Sequence, residues 1–210
     1  MRKFIRLLFM TLVALVLVLG FSAPLRAADA IKITPDIREG LDKVAAYLNQ
    51  ITTLKADFLQ ISSSGDSGEG TLYLERPKRL RIEYKPPTPV LIVANGSYLS
   101  YVDTELKDVQ HIALEDTPVA FLLRDKFDFN GGDVIVTGYE HAAQTIRVGL
   151  VQRRDPLAGE LTLVFSDNPI VLRKWVIVDA QGIVTNVTLI DPRFGFPMPD
   201  VKFEPPAFLD

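Results

Sequence analysis

Few side chains in this sequence are placed to make or break covalent bonds. The 210 residues include no cysteine and two histidines, His111 and His141, which stand on expected strand or turn positions without the spacing of a metal site. No G-x-S-x-G elbow and no phosphate-cradling glycine loop occurs. The carboxylates are scattered along turns, where hydration accounts for them. Nothing calls for a metal or a cofactor, and the chain reads as a non-enzyme. The residue that stands out is Arg76, within "GTLYLERPKRLRIEY" (70–84). Read by alternation, Leu72 and Leu74 share one strand face with Arg76, and Leu80, Ile82 and Tyr84 continue the same apolar parity. A guanidinium facing an apolar interior is costly unless it is hydrogen-bonded. Either something in the fold needs it there, or Pro77 ends the strand and the group escapes to solvent.

The elements around it read as one helix, a long set of strands and a short helix in the middle. In "TPDIREGLDKVAAYLNQI", Thr34 is the expected N-cap, Pro35 the first helical position and Asp36 an acid in the first turn. Ile37, Leu41, Val44, Ala45, Leu48 and Ile51 recur at helical spacing and form one apolar stripe, with Gly40 a weak point. A strand "LKADFLQI" and a polar turn "SSSGDSGEG" lead into the Arg76 segment. Beyond it, "PVLIVANGSYLSYVD" carries two apolar runs around Asn95-Gly96, a strong hairpin signal. "DVQHIAL", "GDVIVTGYE", "QTIRVGLVQ", "ELTLVFSD", "VLRKWVIVD" and "IVTNVTLID" follow, with Asn168-Pro169 and Gln181-Gly182 marking two of the turns. Intervals this short leave no room for crossover helices, so the sheet is expected to be antiparallel and strongly curved. "EDTPVAFLLRD" breaks the strand pattern as a short apolar helix, either a plug completing the core or a lid over a cavity.

Arg2, Lys3 and Arg6 precede an apolar run from Leu7 to Phe21 and small residues at Ala27, Ala28 and Ala30. This pattern predicts a cleaved secretory signal over residues 1–27, with Ala30 as a second possible cut; the alternative is an uncleaved anchor. Residues 28–210 are then one exported domain with 19 basic and 26 acidic residues, a net charge of −7. A uniformly acidic chain argues against nucleic acid as a partner. The basic stretch "RPKRLR" is local, and could meet anionic headgroups, an acidic partner or simply water.

"ADFLQ", "GTLYLERPKRLRIEY", "VANGSYLSYVDTELKDV", "TPVAFLL" and the closing "DAQGIVTNVTL…VKFEPP" together resemble the LolA family of periplasmic lipoprotein carriers. The likeness runs from the first helix to the last residues, with Arg76-Pro77 as its most specific piece. It implies a mainly β fold, an open, strongly curved antiparallel half-barrel covered by a few α-helices. The cargo it implies is acylated lipoprotein, received from an inner-membrane ABC transporter of the LolCDE type and passed to the outer membrane, either directly or through a LolB-type receptor. It also implies a monomer located in the periplasm. By the same resemblance Arg76 is a latch, donating to backbone carbonyls of the lid elements and holding the empty carrier shut. The cavity would be lined by Leu72, Leu74, Leu80, Ile82, Tyr84 and Val93 or its neighbours, with Phe121 and Leu122 from the lid; ordinary core packing is the other reading of each. Two departures stand out: the chain stops eight residues after Lys202, and Ile82 takes a place where some relatives carry a large aromatic. The same cavity would also suit a carrier of another lipid or glycolipid, or a module that senses lipid or lipoprotein without transporting it.

Overall fold

The computed structural model describes residues 29–198, 201 and 203–208; the expected signal segment 1–27 lies outside them. One α-helix, α1 (Pro35–Gln50), precedes eleven strands: β1 (Thr53–Ser62), β2 (Ser67–Glu75), β3 (Arg79–Tyr84), β4 (Val90–Asn95), β5 (Tyr98–Asp103), β6 (Asp108–Ala113), β7 (Val134–Ala142), β8 (Thr145–Gln152), β9 (Gly159–Ser166), β10 (Val171–Asp179) and β11 (Val184–Phe194). All pair antiparallel in one sheet of order β6-β5-β4-β3-β2-β1-β11-β10-β9-β8-β7. β6 and β7 end the sheet without pairing, so it is open. Neighbours in the sheet are consecutive in sequence except where β1 meets β11, which joins a 1–6 half to a 7–11 half.

Helix α1 starts where the sequence places it. Thr34 is extended at the cap, its Oγ1 accepts from the Ile37 amide at 3.4 Å, and Pro35 occupies the first turn. Leu41, Val44 and Leu48 are buried on the expected stripe. Gly40 lets the helix come close to β7: a Cβ there would stand 1.9 Å from the Tyr139 hydroxyl oxygen. Tyr47 crosses to the sheet, edge-on to Phe165 and Phe194, and its hydroxyl oxygen accepts from the Leu172 amide at 2.9 Å.

One apolar cluster holds α1 and the inner residues of both halves, from Leu99 on β5 to Val134 and Val136 on β7. Strands so far apart in sheet order can share a core only if the sheet curls around it. Trp175 on β10 is buried in that core. The expected short helix in the middle is two 3₁₀ turns, Leu114–Asp116 and Pro118–Phe121. Four residues opened by Pro118 give too few i→i+4 partners for an α-helical turn. The cover of the half-barrel among the described residues is therefore one α-helix and this irregular segment.

Candidate lipid-binding face and its arginine fastening

Strand β2 ends at Glu75, and the next residue turns its side chain inward in step with Leu72 and Leu74. Arg76 Nε donates to the Leu122 carbonyl at 2.8 Å, and Nη1 donates to the Leu48 carbonyl. Leu48 lies in the last turn of α1, where its carbonyl also accepts from the capping Ile51 amide at 3.2 Å and the helix dipole presents its negative end. Leu122 follows the second 3₁₀ turn. The guanidinium also lies over the Phe127 ring, 4.8 Å from its centroid. One side chain thus ties β2, the end of α1 and the central segment together. Among the described residues it has no carboxylate partner, so carbonyl dipoles and a ring face balance its charge. Burial strips away hydration and lowers its pKa to about 10, leaving it charged at neutral pH.

Further bonds fasten the central segment. The Lys78 amide donates to the Leu123 carbonyl at 2.9 Å. Asn49, one residue from the end of α1, donates from Nδ2 to the Phe127 carbonyl at 3.0 Å and accepts at Oδ1 from the Phe127 amide at 2.7 Å. At the other end, buried Gln152 donates from Nε2 to the carbonyls of Glu115 and Thr117 at 2.8 and 3.3 Å. Arg154 donates to the Glu115 carbonyl and to Asp116 Oδ1 at 2.5 and 2.6 Å.

Beneath the segment lies the inner sheet face. Register pairs Leu72 with Ile82 and Leu74 with Leu80, and places Tyr84 opposite Gly70. Leu72, Leu74, Leu80, Phe121 and Leu122 are packed in one cluster, each 2% exposed or less. Ile82 and Tyr84 are half-buried beside it. Tyr84 stacks edge-on against Phe58, its hydroxyl donates to Gln60 Oε1 at 2.6 Å, and burial pushes its pKa up to about 12. Toward the β6 edge the same face opens to solvent: Ile92 is half-buried, Tyr101 is 40% exposed and Ile112 46%. An apolar concave face is thus closed by the segment near Arg76 and open near β6.

Val93 does not belong to it. Register sets Val93 opposite Arg81 on the outer face, and puts Ile92 and Ala94 inside. Val93 is nonetheless only 1% exposed, because it packs with Leu91, Val102 and Val109 under Phe208 of the C-terminal tail. The tail also brings Phe203 over Arg79, 6.0 Å from guanidinium carbon to ring centroid. Alternation could not choose a face within "PVLIVAN", where both parities are apolar. Asn49, Phe127 and Gln152 were missed for another reason: their roles arise from backbone atoms brought near by the fold. His141 Nε2 lies 2.8 Å from Asp167 Oδ2 and His111 Nδ1 lies 2.9 Å from Ser100 Oγ, at separate places on the sheet. Among the described residues no group of His, Asp or Glu could hold a metal ion. A cleft of about 1070 Å³ runs along the segment, lined by Leu114, Ala120 and Leu123 and also by the charged Lys78, Arg124 and Asp133.

The family model described as "Outer membrane lipoprotein carrier protein LolA" matches residues 49–206, from the end of α1 to the tail on the outer face. The chain belongs to the LolA family. Relatives by sequence include an outer-membrane lipoprotein carrier protein of Dechloromonas aromatica, 28% identical over 81% of this chain and 86% of that protein. An uncharacterized protein of Rickettsia prowazekii is 27% identical over 80% of this chain and 81% of its own length. Among solved structures, a LolA superfamily protein from Nitrosomonas europaea aligns over 80% of this chain and 97% of that one, at 11% identity and a TM-score of 0.45. Membership in the LolA family supports a LolA-type carrier role, and no helix among the described residues is long and apolar enough to cross a membrane.

Proposed function

We propose that this LolA-family chain is a periplasmic carrier, not an enzyme, that takes the acyl chains of lipoproteins released from the inner membrane and delivers them to the outer membrane. The observation that carries this reading is the bridge from Arg76 to the Leu48 and Leu122 carbonyls, set directly over a continuous apolar inner face. That bridge makes the segment a removable cover. Residues 28–210 act as one domain after export. Leu72, Leu74, Leu80, Ile82 and Tyr84 form the sheet side of the acyl site, extended by Ile92, while Phe121 and Leu122 form the cover.

The energetics fit a carrier that must also let go. Burying acyl methylenes stabilises the complex by about 0.8 kcal/mol each, or on the order of 12 kcal/mol for one 16-carbon chain. Such affinity alone would trap the cargo. Opening the cover breaks the Arg76 bonds, which subtracts from net affinity, and their re-formation favours discharge. An ABC transporter of the LolCDE type supplies the energy for loading, in keeping with a sequence that has no phosphate-cradling glycine loop. The partner at discharge is the outer membrane or a LolB-type receptor.

The test is release of lipoprotein from spheroplasts of the source cells by the purified protein. One-to-one soluble complexes that depend on ATP in the donor cells are expected. Absence of released lipoprotein, with another lipid found in the purified protein by mass spectrometry, would remove the lipoprotein reading.

A further inference from the structure

Arg76 is not alone in closing the cover. The Asn49 carboxamide pairs with the backbone of Phe127 in both directions, as a neighbouring strand would, at 3.0 and 2.7 Å. This reciprocity also fixes which end of the carboxamide is Nδ2. Few side chains can do it: alanine offers neither bond, and aspartate keeps only the acceptor. Phe127 is buried, and its ring is the one beneath the Arg76 guanidinium. Both fastenings therefore meet on one residue, the ring held by Arg76 and the backbone held by Asn49. The other end of the segment is tied separately, by Gln152 and Arg154 to residues 115–117. Freeing residues 122–127 must break the Arg76 and Asn49 bonds together with the Lys78 amide bond to the Leu123 carbonyl.

We infer that Asn49 is a second clasp on the cover, and that Phe127 couples it to Arg76 so that the two release together. This deepens the carrier reading and rests on it, but the clasp has a readout of its own. The Phe127 amide exchanges with solvent only when Asn49 lets go. Opening for cargo is read by the uptake rate of cis-parinaric acid, a fluorescent 18-carbon fatty acid.

In Asn49→Ala, exchange at the Phe127 amide and probe uptake should both rise about tenfold, with far-ultraviolet circular dichroism unchanged. Asn49→Asp, which retains the acceptor for the amide, should fall between wild type and Asn49→Ala. Combined with Arg76→Leu, Asn49→Ala should accelerate uptake by less than the product of the single effects. Wild-type exchange at Phe127 in Asn49→Ala overturns the clasp. So does faster exchange with unchanged uptake, in a protein whose wild type takes up the probe, because Asn49 would then be merely structural. A full product in the double variant overturns the coupling. Should Asn49→Ala not fold, the same two measurements on Asn49→Asp decide, with wild-type rates counting against the clasp. If the wild type takes up no probe while exchange at Phe127 accelerates as expected, the clasp stands and the carrier reading falls.

Discussion

Replacing Arg76 by leucine removes the guanidinium but keeps an apolar side chain of similar reach. Two charge-assisted bonds, from Nε to Leu122 and Nη1 to Leu48, are lost, each contributing roughly 1.5–3 kcal/mol. The stack on Phe127 contributes about 1 kcal/mol more. Against these stands the hydration the guanidinium gives up on burial. The fall of its pKa to about 10 puts that cost near 3 kcal/mol. The balance favours closure by about 1–4 kcal/mol. In Arg76→Leu the Leu122 carbonyl also loses its donor while the cover is shut and finds water when it opens, whereas the Leu48 carbonyl keeps the Ile51 amide. Closed-to-open ratios should therefore fall by roughly five- to several-hundredfold. The assay has two halves: loading with a fluorescent diacyl lipid, and transfer of that lipid to acceptor vesicles. Loading should persist, with affinity raised about tenfold, while transfer slows by at least that factor. Arg76→Lys should behave similarly, since one ammonium cannot span two carbonyls set for a planar fork. Normal transfer by Arg76→Leu would refute the reasoning, whatever its thermal stability.

Other substitutions separate the two faces of the sheet. Ile92→Glu, on the open part of the inner face, should weaken acyl binding more than tenfold with little change in melting temperature, read by probe titration and calorimetry. Val93→Ala should do the reverse, lowering stability by about 2 kcal/mol in urea unfolding while leaving binding intact. Gly70→Ala puts a Cβ 1.9 Å from the Glu83 carbonyl oxygen, so β2 and β3 must part; about 3 kcal/mol of stability should be lost in the same assay. Tyr84, held neutral up to about pH 12, should make the wild type less stable as pH rises above about 10, where only the unfolded chain ionises. Tyr84→Phe should remove the latest-titrating tyrosine from an absorbance titration and flatten that loss.

Local signals made much of the fold readable. Thr34 and Pro35 mark the helix start because capping depends on neighbours in sequence, and Asn95-Gly96 marks the β4–β5 turn because Gly96 adopts φ +86°. Alternation correctly turned Leu72, Leu74, Arg76, Leu80, Ile82 and Tyr84 inward, since β2 and β3 have a polar outer parity. It failed at Val93 because Phe208, more than a hundred residues away, covers the outer face there and both parities become apolar. The 118–121 turn was read as a short helix from its cap and proline, but four residues support only 3₁₀ bonding. Asn49 gave no signal at all: in sequence it is a polar residue at a helix end, and its partner is the backbone of Phe127, 78 residues on. A contact to distant backbone has no partner side chain to betray it, and Asn49, unlike Arg76, does not interrupt an apolar parity.

The central claim is that acyl chains enter the concave face beneath the Arg76 bridge. Site-specific photo-crosslinking in cells tests it directly, with Ile82→p-benzoylphenylalanine and Ile92→p-benzoylphenylalanine on the inner face and Val93→p-benzoylphenylalanine on the outer one. Adducts with acylated lipoproteins at positions 82 and 92, and none at 93, are the predicted result. No lipoprotein adduct at 82 and 92, or equal yields at 93, would contradict the account.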